Sequence, residues 1–96
     1  MARSGDQVVS ILDGIHKQIA KIDMAGRSRG ITRALTVVYR AAGRVAPRMY
    51  TKGQVVSVLH GVYKKIVKID QAGRSEDITR ALTVVSRAAA RVSRTR

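Results

Sequence analysis

The sequence predicts an all-helical fold: a duplicated helical hairpin that packs against its twin as a four-helix bundle with pseudo-twofold symmetry. Three observations carry this. The octamer ITRALTVV stands at residues 31–38 and again at 78–85. Apolar residues recur at steps of four and three along four segments, which keeps them on one helix face. Residues that start and stop helices stand at the ends of those segments in both halves. No strand-type alternation or strand-length apolar run competes with this pattern.

The octamer belongs to a longer repeat. Shifted by 47 positions, residues 7–46 lie over residues 54–93, and 28 of the 40 aligned pairs are identical. Two copies are too few for a solenoid, which needs about three or more to bury a continuous core. They suit a closed body, because a lone hairpin leaves its apolar stripe wet and two hairpins facing each other cover both stripes. The expected organisation is one domain over 1–96, with hairpins over 4–47 and 51–94. The short 47–51 linker leaves open whether the hairpins pair within a chain or exchange between neighbours in an assembly.

The first helix is predicted near 5–25. Ser4 and Gln7 form a capping box at its start, Val8, Leu12, Ile15, Ile19 and Ile22 form its stripe, and Gly26 suits a left-handed C′ residue. The second is predicted near 29–46, with Ser28 as N-cap, a stripe of Ile31, Leu35, Val38, Ala42 and Val45, and the only proline, Pro47, at its end. The third, near 52–72, opens on a Thr51–Gln54 capping box and carries Val55, Leu59, Val62, Ile66 and Ile69, with Gly73 after it. The fourth, near 76–94, follows Ser75 and carries Ile78, Leu82, Val85, Ala89 and Val92. Its Glu76 and Asp77 suit the positive end of the helix dipole. Gly14 and Gly61 fall mid-helix at matching places. Glycine costs about 1 kcal/mol there relative to alanine, which implies close approach of another helix, the preferred explanation, or of a phosphate.

Composition narrows the function. The net charge is +13, from 19 basic and 6 acidic residues, and an imbalance of this size on one small domain implies a polyanion partner. There is no cysteine, hence no disulfide and no thiolate metal site. No apolar run approaches the roughly 18 residues of a spanning helix, and the N-terminus lacks the apolar block of a signal peptide. The expected location is a virion nucleocapsid or the nucleoid and cytoplasm, not a secreted one.

The charges are ordered. Projected at about 100° per residue, Arg29, Arg33, Arg40 and Arg44 fall directly opposite the apolar stripe of the second helix, and Arg80, Arg87, Arg91 and Arg94 do so on the fourth. Lys17 and Lys21 mark the first helix, Lys64 and Lys68 the third, and Arg27 and Arg74 sit in identical AGRS turns. Ordinary solvated faces alternate charge sign. Here Arg29/Arg33, Arg40/Arg44, Lys17/Lys21, Lys64/Lys68 and Arg87/Arg91 are like-charge i,i+4 pairs, each costing a few tenths of a kcal/mol on an isolated helix. Only Asp13–Lys17 and Glu76–Arg80 look compensating. These fourteen basic residues are the candidate nucleic-acid contacts.

Arginine forks bridge phosphate oxygens bidentately. The AGRS turns offer backbone N–H groups at a helix N-terminus, a ready anion site, although a plain capping turn has the same sequence. Single-strand binders stack bases on aromatics, and this chain has no Phe, no Trp and only Tyr39, Tyr50 and Tyr63. Double-stranded DNA is therefore the preferred partner. Phosphate-type side chains predominate over base readers, so binding is expected to be largely indifferent to sequence.

Other chemistry finds no support. His16 aligns with Tyr63 and His60 with Asp13, so neither histidine has a symmetric partner or a neighbour at ligand spacing. No paired carboxylates, nucleophile–base pattern or glycine-rich phosphate loop occurs. No enzyme, cofactor or metal is expected. A membrane-surface role needs a free apolar face with aromatic anchors, and this stripe is used for the core.

In architecture and composition the whole chain resembles the small, arginine-rich, all-helical nucleocapsid proteins of archaeal viruses, which coat double-stranded DNA, often in A-form. The paired hairpins also resemble the plasmid-control RNA-binding bundle built from two hairpins, although its basic residues do not map onto these. The first resemblance implies a sequence-tolerant packaging or coating protein that self-associates on duplex DNA. The alternative is a regulatory module reading one DNA or RNA site.

Overall fold

The computed structural model describes residues 2–70, 73 and 75–94. The elements are β1 (Ala2–Ser4), α1 (Gly5–Ile22), α2 (Arg29–Gly43), β2 (Met49–Thr51), α3 (Lys52–Val67), a 3-10 turn (Lys68–Asp70) and α4 (Glu76–Arg94). The four predicted helices are present, and α1 to α3 end a few residues early. In α1 the chain leaves the helix at Asp23 and reaches Gly26 at φ +68°, the left-handed conformation expected of a C′ glycine. Gly73 adopts the same φ in the second copy. The predicted end of the third helix, at residues 71 and 72, lies outside the described residues.

Both capping boxes form. Ser4 Oγ accepts from the Gln7 N–H at 3.2 Å, and the Ser4 N–H donates back to Gln7 Oε1 at 2.8 Å. Thr51 and Gln54 reproduce this at 3.1 and 2.9 Å.

The helices form a square bundle. α1 packs on α2 and α3 on α4 within the hairpins, while α2 packs on α3 and α1 on α4 between them. α2 and α4 also meet across the diagonal; α1 and α3 have no comparable contact. The Cα envelope measures 38 × 20 × 19 Å, about two helices square. With 19 residues, hence about 28 Å in length, α4 can only lie along the long dimension. α2 also contacts the 3-10 turn that follows α3, so the two hairpin turns share one end of the bundle.

The other end holds a feature the sequence does not predict. β1 and β2 pair antiparallel, with Ala2 opposite Thr51, Arg3 opposite Tyr50 and Ser4 opposite Met49. Under the 47-residue shift, Arg3 is the counterpart of Tyr50, so the central pair of the ribbon joins two positions that the sequence repeat aligns. The physical origin is the caps. An N-cap residue is extended, and Ser4 (ψ 161°) and Thr51 (ψ 162°) both are. Two such chain entries side by side complete each other's backbone hydrogen bonds. Three residues per strand are too few to leave an alternation in the sequence. Tyr50 closes this end of the core: it is buried, its hydroxyl accepts the Ala46 N–H at 2.8 Å, and the Arg48 guanidinium lies 4.3 Å from its ring centre.

The core is one cluster, and no polar or charged residue among those described is buried. α1 and α3 bury the predicted Val8, Leu12, Ile15 and Ile19, and Val55, Leu59, Val62 and Ile66. α2 and α4 are rotated from their predicted stripes. Leu35, Ala42, Val45, Leu82 and Ala89 are only half-buried, whereas Ala34 and Ala81 are fully enclosed and Ala88 is buried. The diagonal contact is the cause: small side chains let α2 and α4 come together at the axis. There, a Cβ added to Gly30 would lie 3.1 Å from Ile78 Cδ1. The helix approach preferred at Gly14 and Gly61 is not found: among the described residues nothing lies within 4 Å of a Cβ built at either position. No helix of this chain requires them.

Candidate nucleic-acid interface

Burial of Ile31, Ala34 and Val38 turns Arg29, Arg33, Arg40 and Arg44 to solvent on α2, and all four are exposed. On α4, burial of Ile78, Ala81, Val85 and Val92 does the same for Arg80, Arg87, Arg91 and Arg94. Lys17 and Lys21 on α1, Lys64 on α3 and Lys68 in the 3-10 turn are exposed, as is Arg27 in the first hairpin turn. Arg74 lies outside the described residues. Because α2 and α4 occupy diagonal corners, their arginine faces look in opposite directions, and the lysine faces of α1 and α3 take the other two corners. The bundle is cationic on all sides.

Little acid compensates. Lys17 and Asp13 approach to 3.5 Å with both side chains largely exposed, so solvent screens the pair. It is the only ion pair whose members are both described residues. The expected Glu76–Arg80 pair does not form. The threonines of the repeated octamer point back into their own helices: Thr32, Thr36, Thr79 and Thr83 each donate a hydroxyl to the carbonyl four residues earlier. They therefore dilute the arginine faces without adding charge.

In the hairpin turns the chain itself takes up part of the N–H cradle the sequence allows. The Ser28 N–H donates to Asp23 Oδ2 at 2.6 Å and the Ile31 N–H to Ser28 Oγ at 3.2 Å. Asp70 and Ser75 repeat the arrangement at 2.6 and 3.3 Å. The chain's own carboxylate takes the N-cap N–H, and its charge opposes an anion arriving beside it. These hydrogen bonds are those of capping turns.

Two grooves lie along the seams between the hairpins. One, about 220 Å³, runs between α2 and α3, with Val45, Val58 and Gly61 in its floor and Arg44 and Lys65 on its rim. The other, about 250 Å³, runs between α1 and α4, with Ile11, Gly14 and Val92 in its floor and Arg3 and Arg91 on its rim. The floor residues are counterparts under the 47-residue shift, as are Arg44 and Arg91. Sequence reasoning missed Arg3 and Lys65. Lys65 aligns with Gln18 and Arg3 with Tyr50, so neither shows as a repeated charge, and their placement emerges only once the hairpins are packed.

Of the tyrosines, Tyr50 is buried, Tyr63 is half-buried and only Tyr39 is well exposed, at 74%. Among the described residues no group of three His, Asp or Glu is placed to hold a metal ion, and no helix is long and apolar enough to cross a membrane. No protein-family model, curated protein or solved structure matches the chain.

Proposed function

We propose that this protein is a non-enzymatic, sequence-tolerant binder of double-stranded DNA that coats or packages its target, as a nucleocapsid or chromatin protein does. The observation that carries this is the pair of arginine faces: eight exposed arginines on opposite corners of one small bundle, with no acidic partner in ion-pair contact among the described residues. Exposed guanidinium groups bridge phosphate oxygens and displace condensed counterions, which supplies affinity without reading bases. A single exposed tyrosine offers no stacking platform for single strands. Charge on all sides of the bundle lets one protomer touch more than one duplex segment, which favours a multimeric or filamentous nucleoprotein.

The β-ribbon supports a second reading, a regulatory module, because a two-stranded ribbon fits the major groove. Its inward face carries Tyr50 and Arg3, so Ala2, Ser4, Met49 and Thr51 point outward. The Ser4 and Thr51 hydroxyls are engaged in capping, and none of the four is an Arg, Lys, Asn or Gln. That leaves little for base readout and puts this reading second.

Competition at fixed salt among random duplex DNA, a hairpin RNA and single strands separates the two. The coating reading predicts that duplex DNA wins and that unrelated duplex sequences compete alike. Preference for one duplex over random DNA by a factor on the order of 10³ would establish the regulatory reading instead.

A further inference from the structure

We infer that the two inter-hairpin grooves each seat a sugar–phosphate segment of a nucleic-acid strand, one on each side of the bundle. This rests on the duplex-binding reading above and names where that duplex is held.

The argument starts from the glycines. Gly14 and Gly61 weaken their helices at matching positions, and nothing within 4 Å of either Cβ position accounts for them. Their effect is outward: each leaves the floor of a groove open to its helix backbone. Among the described residues no side chain fills either groove floor at these glycines, so each is open to an external ligand.

The groove chemistry selects that occupant. The floors are aliphatic, with Val45 and Val58 in one and Ile11 and Val92 in the other, which suits the apolar face of a pentose. The rims are cationic: Arg44 and Lys65, drawn from different hairpins, flank one groove, and Arg91 stands on the rim of the other beside Arg3, which has a contact of its own. That suits a phosphate held from two sides. At about 220 and 250 Å³ each groove has room for a pentose–phosphate unit. Each seam also joins an arginine-bearing helix to a lysine-bearing one, α2 to α3 and α4 to α1. A strand entering a groove thus lies between both kinds of charged face.

Filling the grooves tests the assignment. Gly14→Leu/Gly61→Leu places side chains over both floors while raising helix propensity. The parent and this variant are titrated with a random-sequence duplex over a range of salt, with melting curves and DNA-free mass measured in parallel. The expected result is a melting temperature no lower than the parent's, a Kd weaker by about tenfold, and a salt slope shallower by roughly two to four, about one per rim cation lost. A folded variant with the parent's Kd and slope overturns the groove seat and leaves duplex binding standing. A parent that does not bind duplex removes both. A DNA-free parent that self-associates and a variant that does not would assign the grooves to a second copy of the chain, which also overturns the inference. If the leucine variant melts early, Arg44→Gln/Lys65→Gln/Arg91→Gln tests the same seat with the glycines intact. It should show a similar loss of slope, and an unchanged slope counts against the seat.

Discussion

A Cβ at Gly5 would press on the backbone oxygen of Ala46, while one at Gly14 would meet nothing within 4 Å. The two glycines therefore predict opposite outcomes. Gly5→Ala should destabilise the protein by about 1–3 kcal/mol as a small-to-large change in a closed site. Gly14→Ala should stabilise it by about 0.5–1 kcal/mol. Denaturant midpoints of the two variants, side by side, check both signs. The sequence could not separate these positions. Gly5 aligns with Lys52, so the repeat hides its constraint, and Gly14 looked like a contact that the packing does not make. Asp23 and Asp70 were also silent in the sequence, although they are identical in both copies and hold the hairpin turns through Ser28 and Ser75. Asp23→Ala or Asp70→Ala should each lower stability by about 1 kcal/mol in thermal or chemical melts.

The helices divide into two whose buried face was legible except at their last stripe residues, Ile22 and Ile69, which are only partly buried, and two that were read slightly rotated. α1 and α3 pack mainly on their immediate neighbours, so their apolar period alone located Leu12 and Leu59 in the core. α2 and α4 also meet each other, and that contact selects alanines, which a search for large apolar residues undervalues. The difference is measurable. Leu12→Ala should cost roughly 2–5 kcal/mol, since its side chain is fully enclosed. Leu35→Ala should cost clearly less, because its side chain is partly exposed and loses less buried surface; equal losses would contradict the rotated packing. The ribbon was not legible because it arises from two extended caps brought together by the bundle, and three-residue strands carry no periodic signal of their own. The arginine faces were legible in full among the described residues, since burial on one side of a helix places the opposite residues in solvent whatever the helix packs against.

On the molecule as a whole, cationic faces on diagonal corners mean that one DNA segment cannot satisfy them all. Many protomers should therefore load onto a long duplex, and microscopy or mass measurement should show saturation at many copies; a strict one-to-one complex would contradict this arrangement. The central claim, that the arginine faces contact phosphates, is tested most directly by the salt dependence of duplex affinity. For the parent, the logarithm of affinity against the logarithm of salt should fall with a slope between about −4 and −8 per protomer. In Arg33→Gln/Arg40→Gln/Arg80→Gln/Arg87→Gln the slope should be shallower by roughly three to four. Affinity should drop alike for all sequences, and the melting temperature should not fall, because these positions face away from the core. A quadruple variant that keeps the parent's slope would show that the stripes are solvated faces and that the DNA is held elsewhere.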